Sequence, residues 1–207
     1  RKIFGKEHEM FRKSFKQYIK DKILPFYNDW EEAGITPREI WLDAGKKGFL
    51  CPTAEEAYGG PGGDFLYSTV ITEEMYYYGV SSLFFPLHND IVFPYIELYA
   101  NEEQKKRWIP GCVSGEKILA VAMTEPNTGS DLQAIKMTAT KDGDSYVLNG
   151  QKTWCSRAAF ADWIFCIFLK GCAHGRARLV GDTGAGALEA PGHRVACWRE
   201  SGRAGNG

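Results

Sequence analysis

The sequence predicts an α+β chain: an N-terminal all-α helical bundle followed by a partial β-barrel or β-sheet middle domain. Two observations carry that expectation. Apolar residues recur at steps of three and four from the start to about residue 110. At Lys117 the period changes, and short apolar runs punctuated by turn residues continue to about 168. Helices gathered ahead of strands point to α+β rather than an alternating α/β order. The expected divisions are a helical domain over 1–115, an incomplete β domain over 116–169, and a tail over 170–207.

Met10, Phe11, Phe15, Tyr18, Ile19 and Ile23 form one apolar face of a helix from about Glu7 to Leu24. Pro25 bends or interrupts it, and Phe26, Tyr27 and Trp30 carry the face on to about Glu32. Thr36-Pro37-Arg38-Glu39 reads as a helix start with Thr36 as cap, running through Trp41 and Ala44 to Gly48. The glycine-rich Tyr58–Asp64 stretch excludes regular structure, and it lacks the Lys-Ser/Thr that would make it a Walker A loop. Two further helices follow, Phe65–Tyr78 and Ser81–Tyr99; the second is apolar nearly all round and is expected to kink or break at its two prolines. His88 within it reads as a satisfied core histidine. A short helix opens at Asn101-Glu102-Glu103-Gln104 and ends at Ile109-Pro110.

Ile118–Met123 is a buried strand that runs into Thr124-Glu125-Pro126-Asn127-Thr128-Gly129-Ser130-Asp131, a turn crowded with hydroxyls. Such a loop presents backbone N–H groups and small hydroxyls that suit anionic or carbonyl-rich ligands. Asp142-Gly143 turns a hairpin between Met137–Thr140 and Tyr146–Leu148, and Gln151–Ser156 is read as a further strand. The tail has a different composition. From Lys170 onward there are 9 Gly, 7 Ala, 5 Arg and 1 Lys in 38 residues, against 14 Lys and 5 Arg before it. The composition fits a flexible Gly/Ala linker or terminus, and its abruptness favours a shifted reading frame or an artificial terminus.

The formal charge of −1 argues against nucleic acid as a partner, and no run of 18 apolar residues predicts a membrane span. The start at Arg1 shows neither an initiating Met nor an apolar leader segment, which suggests a fragment or a processed start from which an upstream targeting segment was lost. Six cysteines without a Cys-x-x-Cys pair read as free thiols in a reducing compartment. A metal site from Cys166, Cys172 and His174 is the weaker reading.

The run Met123-Thr124-Glu125-Pro126-x-x-Gly129-Ser130-Asp131 and the downstream Lys152-x-Trp154-x-Ser156 together resemble the acyl-CoA dehydrogenase family, closest to its long-chain type. Tyr58–Asp64 and Asn101–Pro110 add to the resemblance, which covers residues 1–168 in the same order. It implies FAD as cofactor, held by Val121, Ala122, Met123, Thr124, Gly129 and Ser130, with Trp154, Cys155 and Ser156 completing the flavin wall. Thr124 is placed at the flavin N1–C2=O2 edge and Ser156 toward N5 or O4. Trp154 lies against the ring, and Ser130 sits at the pyrophosphate and near the CoA-bearing substrate. Donors fixed where a reduced flavin carries its extra charge favour reduction. Where the family usually has an aliphatic residue and Asn around this serine, the chain has Cys155 and Arg157. Glu125 is expected to be structural.

The implied reaction is α,β-dehydrogenation of a fatty acyl-CoA thioester to the trans-2-enoyl-CoA. The electrons pass to an electron-transferring flavoprotein, and the parent protein is a homotetramer. The Leu83–Ile96 helix would help line the acyl cavity. The compartment would be the cytoplasm in a bacterium or the mitochondrial matrix in a eukaryote. The resemblance stops before the family's C-terminal helical domain, which holds the carboxylate base, so no catalytic residue is assigned and the chain alone is expected to be inactive. An acyl-CoA oxidase on the same scaffold and a non-enzymatic helical interaction module are the alternatives.

Overall fold

The computed structural model describes residues 3–142, 145–170 and 175–182. The expectations for Cys172, His174, Cys197 and residues 183–207 concern positions outside these. The chain divides into two compact units, Arg1–Ile118 and Leu119–Gly207.

In the first unit, helix α1 (Lys6–Tyr18) passes directly into a π-helical turn, Ile19–Ile23, and α2 (Tyr27–Ala33) resumes after Pro25. Helix α3 (Arg38–Lys46) is capped by Pro37 rather than Thr36, with Pro37 at φ −56 and ψ 141. Proline's fixed φ suits the residue that turns the chain into the helix, and this moves the expected boundary by one position. Helix α4 (Phe65–Tyr77) is capped by Asp64, whose carboxylate accepts the Leu66 N–H at 2.9 Å.

The apolar stretch after Ser81 is broken, one of the two outcomes expected of its prolines. A 3₁₀ turn, Ser81–Leu83, is followed by a π-helical turn, Leu87–Val92, and then by α5 (Phe93–Tyr99). Phe84, at φ 56, sits in the left-handed region and breaks the run ahead of Pro86. Helix α6 (Glu102–Ser114) begins with a reciprocal box: Asn101 Oδ1 accepts the Gln104 N–H at 2.9 Å, and Gln104 Oε1 accepts the Asn101 N–H at 3.0 Å. Contrary to expectation it does not stop at Pro110. The cost of one missing N–H is offset because Ile109, Cys112 and Val113 on either side are buried. The helix ends at Gly115 (φ 77), where any side chain would collide with the Trp41 carbonyl of α3.

The core of this unit gathers Phe15, Tyr18, Ile19 and Ile23 with Trp41, Phe49, Leu50, Ile71, Met75, Leu83 and Phe85. Phe49 is its hub, with ring centroids 4.8 Å from Phe15, 5.2 Å from Tyr18 and 5.4 Å from Phe11. Asn89 pins the strained segment beside it. Its Oδ1 accepts the N–H of Cys51 (φ 46) at 2.8 Å, and its Nδ2 donates to the Phe49 carbonyl at 3.1 Å. His88 is fully buried, with Nε2 3.0 Å from the Cys112 carbonyl, as a core histidine should be.

The second unit is a mixed sheet of β1 (Leu119–Ala122), β2 (Thr138–Asp142), β3 (Ser145–Asn149), β4 (Trp163–Lys170) and β5 (Gly175–Asp182). β5 lies beyond residue 168, where strands were expected to end. It pairs antiparallel with the whole of β4, and β2 and β3 form the expected antiparallel hairpin. β1 and β2 both pair parallel with β4, in the registers Ala122↔Cys166 and Thr138↔Leu169. Because β5 occupies one edge of β4 throughout, β1 and β2 share the other. Residues 123–137 are therefore a long excursion from a single sheet edge, leaving and rejoining it only about 10 Å apart. Gly150 (φ 151) closes β3 against Met137, where a Cβ would overlap the Met137 backbone.

Candidate functional site

The excursion is held by its own chemistry. Glu125 and Thr128 exchange backbone hydrogen bonds at 2.9 and 3.1 Å, and the Thr128 hydroxyl donates to the Ala134 carbonyl at 3.1 Å. Asp131 caps a short 3₁₀ turn by accepting the Gln133 N–H at 3.1 Å. Glu125, 6% exposed, faces inward. Its Oε2 accepts the Lys136 N–H at 2.7 Å, and its Oε1 accepts the Met137 N–H at 2.9 Å and the Lys152 ammonium at 2.9 Å. Burial alone pushes this carboxyl up. The Lys152 ammonium and the two N–H groups more than reverse that, holding it below its ordinary value. A carboxylate so engaged is a poor proton acceptor, which agrees with its expected structural role.

Lys152 joins the two motifs. Besides Glu125 it donates to the Met123 carbonyl at 2.8 Å, and the next residue, Thr153, donates its N–H to the Thr124 carbonyl at 2.9 Å. The Gln151–Ser156 stretch is not the strand its composition suggests. Trp154 (φ 56) and Arg157 (φ 67) both lie in the left-handed region, and Ser156 N–H bonds back to the Trp154 carbonyl at 3.0 Å. Fastening residues 152 and 153 to the first loop leaves no extended ladder, and the chain turns until β4 begins at Trp163.

Of the residues singled out from sequence, Val121 and Ala122 lie on β1, and Met123 and Thr124 lead into the excursion. Gly129 and Ser130 are exposed on it, and a Cβ at Gly129 would meet nothing. Trp154 is 89% exposed, whereas Cys155 is partly buried against the sheet core and Ser156 is exposed. Burial raises the Cys155 thiol, with Lys152 opposing; Cys166 behind it is pushed up to about 11, so neither is poised as a thiolate. Burial also lowers Arg157, whose guanidinium lies 5.6 Å from the Phe160 ring centre. The structure thus brings the first motif and the Lys152–Thr153 anchor together. The sequence singles out Lys152 as the first residue of the second motif but gives it no role of its own.

These residues fit a flavin dinucleotide. Among the described residues the hydroxyls of Thr124, Ser130 and Ser156 form no intramolecular hydrogen bond, so all three are available to a polar ligand. Trp154 offers a flat, exposed aromatic face.

Residues 5–116 match the acyl-CoA dehydrogenase N-terminal domain and residues 120–195 the acyl-CoA dehydrogenase middle domain. The chain belongs to the acyl-CoA dehydrogenase family. The pig mitochondrial long-chain specific acyl-CoA dehydrogenase is 41% identical over 167 residues, which are 81% of this chain and 39% of that protein. A crystal structure of an acyl-CoA dehydrogenase from Geobacillus kaustophilus superposes with a TM-score of 0.85 at 43% identity, covering 94% of this chain and 55% of that one. A Bacillus anthracis acyl-CoA dehydrogenase complexed with FAD superposes with a TM-score of 0.80 at 28% identity, covering 95% and 35%. The chain therefore spans about two fifths of the length of the curated relatives it matches. No helix among the described residues is long and apolar enough to cross a membrane.

Proposed function

We propose that this chain carries the flavin-holding part of an FAD-dependent acyl-CoA dehydrogenase that converts fatty acyl-CoA thioesters to trans-2-enoyl-CoA. The observation that carries the reading is the joining of the Thr124–Ser130 loop to the Trp154–Ser156 loop through Lys152 and Thr153. The FAD bound by the similar Bacillus anthracis protein supports the choice of cofactor, and the similar pig enzyme supports a long-chain substrate.

When bound, the flavin supplies the two-electron acceptor for the substrate's β-hydrogen. The chain's own residues hold and tune it. The Thr124 hydroxyl and nearby N–H groups would stabilise charge developing on the flavin ring, and the Ser156 hydroxyl would donate to it. Trp154 would shield the ring from water, while Ser130 would serve the diphosphate and the CoA-bearing end of the substrate. Val121, Ala122, Met123, Gly129 and Cys155 shape the walls. Neither Glu125 nor Asp131 serves as the base for the α-proton: the first is locked between three donors and the second caps a turn. The base lies elsewhere in the whole protein, and the 207-residue chain is inactive by itself. By the same reading the parent is a homotetramer that delivers electrons to an electron-transferring flavoprotein. It resides in the mitochondrial matrix of a eukaryote or the cytoplasm of a bacterium.

Anaerobic addition of a long-chain acyl-CoA to the whole natural protein tests this directly. Bleaching of the oxidised-flavin absorbance is expected. A yellow protein that no saturated acyl-CoA bleaches would overturn the activity, and release of hydrogen peroxide on turnover would mark an oxidase instead.

A further inference from the structure

We propose that Lys152 is a positioning residue of the flavin site. Its ammonium sets the spacing between the loop that presents Thr124 and Ser130 and the loop that presents Trp154 and Ser156. The inference rests on the flavin reading above.

A lysine side chain is ordinarily left in water, but that of Lys152 is 7% exposed and its partner Glu125 is 6% exposed. Its ammonium hydrogen bonds return to the first motif: the Met123 carbonyl at 2.8 Å and Glu125 Oε1 at 2.9 Å. With Thr153 N–H on the Thr124 carbonyl at 2.9 Å, residues 123, 124 and 125 are each bonded to residues 152 or 153. Thr124, whose hydroxyl is free for a ligand, is thus bracketed on both sides. Trp154 follows the anchor immediately at φ 56, so the direction of its exposed ring is set by where residues 152 and 153 are fastened. Glu125 in turn holds the far end of the excursion through the Lys136 and Met137 N–H groups. One ammonium therefore fixes three segments of one site.

Because Glu125 neutralises Lys152 at contact distance, the pair presents little net charge to a ligand, and its effect is geometric. That separates positioning from folding. Replacing a buried ion pair by neutral groups often leaves stability intact. A Glu125→Gln/Lys152→Met double variant leaves no buried charge and keeps one backbone N–H bond through the amide oxygen, so it should recover part of the stability lost in Lys152→Met yet lose the register between the loops.

The test uses the 207-residue chain, titrated with FAD by fluorescence, alongside urea unfolding and hydrogen exchange at the Thr153 amide. Lys152→Met alone is expected to weaken FAD about tenfold or more and to lower stability. The double variant is expected to be more stable than Lys152→Met alone while remaining about tenfold weak, because misplaced groups lose binding even in a folded site. Faster exchange at the Thr153 amide should accompany both. A folded double variant binding FAD within about twofold of the parent would overturn the proposal, since a merely structural pair gives that result. A parent chain that binds no FAD would count against the flavin reading alone. Hydrogen exchange then decides the positioning claim, with unchanged Thr153 protection in the double variant overturning it and accelerated exchange supporting it.

Discussion

The backbone N–H of Thr153 donates to the carbonyl of Thr124 at 2.9 Å, so the segment ahead of Trp154 is hung from the segment behind β1. A whole hairpin separates them in sequence, and only the folded sheet unites them.

Trp154 combines a left-handed backbone with an exposed ring. Neither favours the free protein, since a bulky residue at positive φ is strained. Trp154→Gly should leave stability unchanged or raise it by up to about 1 kcal/mol. The same substitution should weaken FAD by about 1 kcal/mol or more through lost stacking. Paired unfolding and titration curves measure both effects, and a loss of stability would show that the ring packs in the free chain.

Glu125 gives the second unit an acid-sensitive joint. Its folded pKa lies below its ordinary value, so its stabilisation is fully present above the unfolded value of about 4.3. It is lost as pH falls from there through the folded value. The parent's urea midpoint should drop steeply in that acid range, and Glu125→Gln should flatten the drop. Glu125→Ala at neutral pH, which strands a buried ammonium, should cost about 3 to 5 kcal/mol.

Asn89→Ala should destabilise the helical unit by about 2 to 3 kcal/mol, because the buried Cys51 N–H and Phe49 carbonyl both lose their partner. Denaturant unfolding followed by circular dichroism at the helical signal checks it. A change under about 0.5 kcal/mol would mean that the strained turn at Cys51 holds itself.

Phe49→Ala removes the ring on which Phe11, Phe15 and Tyr18 converge. The expected cost is about 3 to 5 kcal/mol, read in the same unfolding experiment. Tyr76→Ala, at an exposed ring on α4, should stay within about 0.5 kcal/mol.

Periodicity and turn chemistry made much of this architecture legible beforehand. The Phe15, Tyr18, Ile19 and Ile23 face announces α1 and the π-helical turn after it, Asp142-Gly143 announces the β2–β3 hairpin, and Asn101 with Gln104 announces α6. Local signals failed where long-range contacts decided the outcome. α6 runs through Pro110 because buried neighbours hold it, and Phe84 breaks the apolar stretch by a backbone conformation that composition does not reveal. Gln151–Ser156 reads as a strand until Lys152 is drawn in to Glu125 and Met123. At the candidate site the two motifs could be paired from sequence by resemblance. The lysine that joins them could not, because its burial depends on a carboxylate a hairpin away.

The claim that both loops form one flavin site is tested most directly by following tryptophan fluorescence during FAD titration of the chain and of Trp154→Phe. The account predicts saturable quenching in the parent and loss of most of that quenching in Trp154→Phe. No saturable change in the parent, or equal quenching in both proteins, would contradict it.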